Sequence, residues 1–287
     1  MNEINNRQVD ETAKQFRYSF MCWYNKAKRI NLAIIVISFI IALFSVINIL
    51  YMFKLDKFLA FLGAFWIVIS TVLKNVANNY KKIGADIQEE FDTYVFGLGK
   101  NSLLVMPKIS IENIYAYTNK KENNTSNLYY TGLNSLNKMK NIIIAQRDNI
   151  VFDKNMRKTY YLGNIYALVI YLVIAFALGI MYEFKIEEFL ASIIIPAINI
   201  VVYFTENILM IKNELEILRE GELSIENLFL SASNNEDVVI DELTCREYQN
   251  FIYLKRRNWV MIPNYIYRMK QRYEKTRMIV NKQLSSN

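Results

Sequence analysis

The sequence predicts an all-α, polytopic membrane protein: two transmembrane helical hairpins, four spans in all, with a helical cytosolic domain built from stalk extensions, the middle segment and the C-terminal tail. Three observations predict it. Four apolar runs occur in two close pairs, residues 30–53 with 58–73 and residues 159–182 with 189–205. The first run of each pair holds more than 20 residues without a charge, and the second runs hold 16 and 17. At ~1.5 Å per residue, a run of about 20 crosses the ~30 Å hydrocarbon core. Lys and Arg are also asymmetric: six precede Ile30, 13 lie between the second and third runs, 12 follow the fourth, and only Lys54, Lys57 and Lys185 occupy the short connections. By the positive-inside rule this places both termini and the middle segment in the cytoplasm, with two short turns outside. Finally, uncharged stretches of this length in a chain that is 53% hydrophobic do not suit a soluble core.

Taken in order, residues 1–29 read as a polar start and an amphipathic helix. Phe16, Phe20, Trp23 and Tyr24 recur at helical spacing among Arg17, Lys26, Lys28 and Arg29, a pattern suited to a cytosolic or interfacial helix. No cleavable leader is expected, because 29 mostly polar residues precede a first run too long for an h-region. Hairpin 1 covers 30–73, with spans at about 30–53 and 58–76, the shorter one aided by snorkelling of Lys57 and Lys74. Val76, Tyr80, Ile83, Ile87 and Phe91 carry the apolar period onward, so the second helix projects as a stalk to about Val95, where Gly97 and Gly99 end it.

The cytosolic segment 74–158 contains Pro107, a polar cluster over 119–127 and an amphipathic stretch from Leu133, whose Leu136, Met139, Ile143, Val151 and Met156 would close a helical layer over the stalks. Asn123-Asn124-Thr125 matches a glycosylation sequon, but on the cytosolic side it is without meaning. Hairpin 2 covers 159–211, with spans at about 159–182 and 189–211. The tail, 212–287, continues as a second stalk through Leu215, Leu218, Ile225 and Leu228. It then forms a helix over 241–257 with Leu243, Phe251 and Leu254 apolar, and a further helix begins after Pro263 and runs from about 264 to 282.

Composition excludes several chemistries. With no His, and with Cys22 and Cys245 far apart on the reducing side, neither a zinc site, a disulfide nor a His-based nucleophile is expected. No catalytic, metal or cofactor residue is assigned. The carboxylates Glu89, Glu90 and Asp92 offer a third, weaker reading as catalysts of a membrane enzyme, yet such spacings are ordinary on helix surfaces and no phosphate-binding glycine loop accompanies them. The net charge of +7 follows from topology and calls for lipid, not DNA or RNA.

Intramembrane polar groups mark candidate pathways. Glu206 falls at the cytoplasmic edge of the fourth span, either paired with a neighbouring Lys or forming a ring in an oligomer. Pro196 removes a backbone donor and Asn199, one turn on, can bond the freed carbonyls or another helix, as a structural kink or a gating hinge. Ser70, Thr71 and Asn164 read as ordinary polar residues bonding within or between helices. Four spans with so few polar positions enclose no water path alone, so any pore is expected from a homo-oligomer.

Several stretches resemble the S-4TM family, the four-transmembrane pore-forming effectors of bacterial nucleotide-messenger (CBASS-like) conflict systems. Arg7-Gln8 and Trp23-Tyr24-Asn25-Lys26-Ala27-Lys28-Arg29 resemble its opening and its Leu-Tyr-x-x-Ala-Lys-Arg run. Ile87-Gln88-Glu89-Glu90-Phe91-Asp92-Thr93-Tyr94-Val95-Phe96-Gly97-Leu98 resembles its most recognisable segment. Ala145-Gln146-Arg147-Asp148-Asn149 with Asp153 and residues 157–160, and Ile262-Pro263-Asn264-Tyr265-Ile266-Tyr267 with Arg272-Tyr273-Glu274, are similar to its later segments. Val9, Asn264 and Leu128-Tyr129-Tyr130-Thr131 depart from the pattern. The resemblance implies an anti-phage effector switched to a membrane-disrupting state by a cyclic or oligonucleotide messenger from a partner nucleotidyltransferase, causing abortive infection. It carries no ligand residues across. An anionic messenger needs Arg or Lys with an aromatic face, and Arg147, Arg157, Arg256, Arg257 and Trp259 are the candidates, with solvated positive-inside charge as the plainer reading. A non-pore membrane sensor or scaffold that recruits a soluble partner through its cytosolic helices is the alternative.

Overall fold

The computed structural model describes residues 3–100, 104, 109–117, 128–234, 240–269 and 273–286. Pro107, the polar cluster 119–127 with its sequon, and Arg272 lie outside the described residues. Among those described the fold is all-α, with no strand. A short helix α1 (Glu3–Arg7) leads into α2 (Glu11–Tyr51), which returns as α3 (Asp56–Phe96). After a five-residue α4 (Ile111–Tyr115), the second hairpin is α5 (Lys138–Met181), a short α6 (Ile186–Phe189), a π turn over Leu190–Ile194, and α7 (Ile195–Asn234). Three tail helices follow, α8 (Glu242–Asn258), α9 (Asn264–Met269) and α10 (Tyr273–Ser286).

Four helices are each long and apolar enough to cross a membrane. With 41 residues in both α2 and α3, and 44 in α5, each is about twice the length a bilayer core requires. Each of these helices therefore crosses and continues without a break into a shared helical layer at the end of the molecule that holds both described termini. Local chemistry sets their ends. Asp10 caps α2 by accepting from the Ala13 N–H, and Gly97 ends α3 in the left-handed region, at φ 62°, donating its N–H to Thr93. Asn48 builds the α2–α3 turn, its Oδ1 accepting from the Leu55 N–H at 2.9 Å and its Nδ2 donating to Asp56 at 2.8 Å.

The largest packed cluster lies in the layer, and two smaller ones, Ile49 with Ala175, Leu178 and Ile193, and Ala42 with Ala197 and Ile200, lie between the spans. Phe20 and Trp23 of α2, Ile87, Phe91 and Val95 of α3, Ile142 and Ile144 of α5, with Tyr130, Leu133 and Cys245, form the largest. Elsewhere in the spans the pattern inverts: Phe39, Phe44, Phe61, Phe65, Val68, Val173 and Phe176 face outward, as lipid-facing side chains do.

Several expectations are corrected here. The aromatic face of residues 16–24 turns into protein, where Phe20 packs edge-to-face on Phe91 and Tyr129, so it is not laid on the headgroups. Leu136, expected in the helical layer, is fully exposed, ahead of the α5 N-cap Asn137. On α8 the expected apolar residues Leu243 and Leu254 are exposed, and the buried side carries Cys245, Gln249, Ile252, Tyr253 and Lys255. The reason is that α8 is buried between two partners, with Gln249 and Tyr253 on a row of carboxylates of α3 and Cys245, Ile252 and Lys255 on the second hairpin. The amphipathic middle stretch and the third span, read as separate pieces, are one helix, α5.

Candidate functional site

Two groups of polar side chains sit where the hairpins meet, one in the layer and one among the spans. In the layer, Asp86, Glu89 and Asp92 recur every three residues on α3 and so share one face. Glu89 and Asp92 are buried, at 1% and 0% exposure. From α8, Arg246 pairs with Glu89, Arg256 with Asp92 and Arg257 with Asp86. Between them Gln249 donates to Glu89 (2.7 Å) and Asp92 (2.9 Å), and the Tyr253 hydroxyl donates to Asp86 (2.8 Å). Tyr130 completes the set by donating to Asp92 at 2.6 Å. Each of the three carboxylates thus meets an arginine and a neutral donor of α8, the condition for burying charge without prohibitive cost.

The same helix is tied to the second hairpin. Lys255 pairs with Asp153 (3.2 Å) and donates to Asn149 (2.7 Å), and Gln146 donates to the Cys245 carbonyl (2.8 Å). Beyond α8, Arg157 joins Asp153 (3.0 Å) and Glu214, and it donates to the Val260 carbonyl (3.0 Å) while lying 5.1 Å from the Trp259 ring. Glu214 accepts the Val260 N–H at 2.7 Å. α8 and the segment after it therefore bridge α3 on one side and α5 and α7 on the other.

Burial shapes the ionisation of this layer. It pushes Glu89 up to about 7, against the lowering effect of Arg246, and Lys255 down to about 8. Burial alone would raise Asp153, but Arg157 and Lys255 outweigh it and hold the carboxyl at about 2. Because the folded pKa of Glu89 lies above its unfolded value, its stabilising contribution is present below about pH 4.5 and is lost as pH rises through about 7. The stability difference between wild type and Glu89→Gln, followed by thermal unfolding, is accordingly expected to move against the wild type across that window and to flatten above it.

Among the spans, Asn199 of α7 donates to Ser38 Oγ of α2 (2.6 Å) and its Oδ1 lies 3.1 Å from Ser70 Oγ of α3. Trp66 Nε1 also donates to Ser38 Oγ, at 2.8 Å, and Ser38 donates to the Ile34 carbonyl at 2.7 Å. One turn earlier, Pro196 does not interrupt the helix: the π turn of residues 190–194 precedes it, and its loosened carbonyls are taken up from neighbouring spans. Ser45 donates to the Ser192 carbonyl, and the Tyr171 hydroxyl to that of Ile193 at 3.2 Å. Gly63 of α3 sits directly against this point. An added Cβ would stand 2.8 Å from both the Ile195 oxygen and the Pro196 Cα. Asn199→Leu is expected to cost about 0.6–1.7 kcal/mol, from the average to the largest value measured for an interhelical hydrogen bond in a membrane, read as a lowered thermal midpoint in detergent.

The candidate residues divide accordingly. Arg157 and Trp259 are brought together, whereas Arg256 and Arg257 face α3 and Arg147 pairs separately with Glu226 at 2.9 Å. Each of these four arginines is engaged by a carboxylate of this chain. Glu206 pairs with Lys74 at 2.9 Å, the neighbouring lysine that one reading of it required. Asn164 joins a second span contact, with Asn207 at 3.5 Å and with the Tyr160–Tyr203 hydroxyl pair beside it. Glu89, Glu90 and Asp92, weighed as catalysts, are occupied by Arg246, Lys100 and Arg256. Sequence reading missed Ser38, Trp66 and Gly63, and it missed Gln249 and Arg246; the three-residue spacing of Asp86, Glu89 and Asp92 against that of Arg246, Gln249, Tyr253 and Arg256 was the available signal.

A family model described as the SMODS-associating 4TM effector domain matches residues 2–283. A protein of Bacillus cereus (strain VD146), named "Probable CBASS effector molecule", is 27% identical over 293 aligned residues, which cover 97% of this chain and 95% of that one. No solved structure matches the chain.

Proposed function

Because the chain belongs to the SMODS-associating 4TM effector family, we propose that it acts as a multi-pass membrane effector of anti-phage defence, held closed at rest and opened by a nucleotide messenger. The observation that carries this reading is continuity. α2, α3, α5 and α7 each run unbroken from a span into the layer where α8 holds the two hairpins together. A helix that is stiff over that length transmits a change at one end to the other. An anionic cyclic or oligonucleotide messenger offers phosphates to the guanidinium groups that α3 now holds, Arg256 and Arg257 foremost, with Arg157 and Trp259 nearby. Binding there competes with Asp92 and Asp86 and frees the stalks to separate. The messenger must prefer the open form for this to shift the balance, by about 1.4 kcal/mol for each factor of ten.

Within one copy the polar groups of the spans mostly turn onto one another, Ser38, Ser70 and Asn199 in one contact and Asn164 with Asn207 in a second, and the outward faces are largely apolar. Several copies in the inner membrane, both termini cytoplasmic, then make the conducting path together. The test is purified protein in dye-loaded liposomes challenged with a panel of cyclic and linear oligonucleotides. Release on adding one messenger supports the proposal, together with an Arg256→Gln/Arg257→Gln variant that no longer responds to messenger and, its pairs with Asp92 and Asp86 broken, leaks without it. Liposomes that stay sealed across the panel, while the messenger still binds and crosslinks the protein to a soluble partner in cells, would replace it with the scaffold reading.

A further inference from the structure

Deep in the layer the arginines are neutralised: Arg246, Arg256 and Arg257 by α3, Arg157 by Asp153 and Glu214, and Arg277 by Asp148. The junction of α9 with α2 differs. Asn264 lies 3.1 Å from Asn25 and accepts from Lys28 at 2.7 Å, and the Lys28 ammonium stands 4.4 Å from the centroid of the Tyr267 ring. Arg29 follows Asn25 by four residues and Arg268 follows Asn264 by four, so each falls on the face of its own helix that makes the contact. Among the described residues Lys28, Arg29 and Arg268 belong to no ion pair. Composition explains why: no Asp or Glu occurs between Glu11 and Asp56, nor between Glu247 and Glu274.

Position supplies the missing anion. The apolar run of α2 begins at Ile30, so these cations stand at the edge of the hydrocarbon, level with the lipid phosphates. α9 suits that level, since Tyr265 and Met269, one turn apart, are 53% and 66% exposed while Ile266 is buried beneath them with Met156, Tyr160 and Ile211. Asn264 and the Tyr267 ring offer Lys28 only neutral partners, and burial without a countercharge pushes its ammonium down to about 8. A phosphodiester provides both the charge and the acceptor oxygens the three cations lack. We propose that Lys28, Arg29 and Arg268, gathered round the Asn25–Asn264 contact, form a seat for the phosphate of an anionic phospholipid in the leaflet nearest the helical layer. Because the chain between α8 and α9 is fastened to Glu214 and Arg157 through Val260, a lipid in this seat holds the tail against the first hairpin as well as the second.

The proposal needs only that the chain lies in a bilayer, so it stands or falls apart from the effector reading. Full-length protein is placed in nanodiscs of phosphatidylcholine with and without phosphatidylglycerol, and lipid retention by native mass spectrometry and the thermal midpoint are read without any messenger. Wild type is expected to keep phosphatidylglycerol in preference to phosphatidylcholine and to gain stability from it. Lys28→Gln/Arg29→Gln/Arg268→Gln is expected to lose that preference, by roughly fivefold for each cation removed. Lys28→Arg/Arg29→Lys/Arg268→Lys, which keeps the charge, should retain it, as should Lys14→Gln/Lys100→Gln/Lys138→Gln, which loses equal charge elsewhere. The seat is overturned if the glutamine triple variant still prefers phosphatidylglycerol. It is also overturned if the remote triple loses the preference equally, or if inorganic phosphate in phosphatidylcholine discs reproduces the stabilisation.

Discussion

Asp92→Ala is expected to destabilise the protein by about 3–5 kcal/mol, the cost of removing one partner of a buried ion pair. Asp92 is fully buried and takes Arg256, Gln249 and Tyr130 at once. Alanine leaves the Arg256 guanidinium enclosed among Tyr24, Tyr129 and Tyr130 with no countercharge. Thermal unfolding in detergent should show a midpoint lower by on the order of 10 °C. The double variant Asp92→Ala/Arg256→Met should recover most of that loss, because replacing a whole buried pair by apolar groups is often neutral or stabilising. An Asp92→Ala midpoint within about 1 kcal/mol of wild type would mean that α8 is not held by this pair. If the proposed closed state depends on it, Asp92→Ala liposomes also leak dye before any messenger is added.

That α8 is a charged clasp was hidden in the sequence for a physical reason. The side of α8 that meets the α3 carboxylates is polar, and of the apolar residues the sequence points to, only Phe251 packs inward beside Ile252, while Leu243 and Leu254 are exposed. The partners lie over 150 residues apart for Arg246 and Glu89, so the matching spacings on α3 and α8 become a signal only when the two helices are set side by side. The spans were legible because a bilayer imposes a length and a composition on each segment by itself. The α3 stalk was legible too, since Ile83, Ile87 and Phe91 keep their helical period beyond the membrane and Gly97 supplies the left-handed end. Phe20 and Trp23 misled for the opposite reason. An aromatic and basic face reads alike whether it meets headgroups or a protein interior, and only the arrival of Phe91 and Tyr129 decides between them. Pro196 reads from sequence as a kink or a hinge; in the structure a π turn precedes it, and the side chains that satisfy the loosened carbonyls, Ser45 and Tyr171, belong to other helices.

Gly63→Val is expected to force the two hairpins apart. The position has no room for even a methyl group, because its neighbours are the Ile195 oxygen and Pro196 Cα at 2.8 Å and the Pro196 oxygen at 3.0 Å. All three are backbone atoms, so no rotamer change relieves the contact and α3 must shift from α7 as a body. Overpacking of this kind costs typically about 1–3 kcal/mol. The same shift draws Ser70 from Asn199, and Trp66 and Ser38 with it, so the polar contact that joins α2, α3 and α7 comes apart at once. Gly163→Val in the second hairpin is the control, since an added Cβ there meets nothing within 4 Å. In dye-loaded liposomes without messenger, Gly63→Val is expected to leak well above wild type and Gly163→Val to match it. Should Gly63→Val insert and fold yet remain sealed, separation of the hairpins at Pro196 is not the opening movement, and the site of opening must lie elsewhere among the spans.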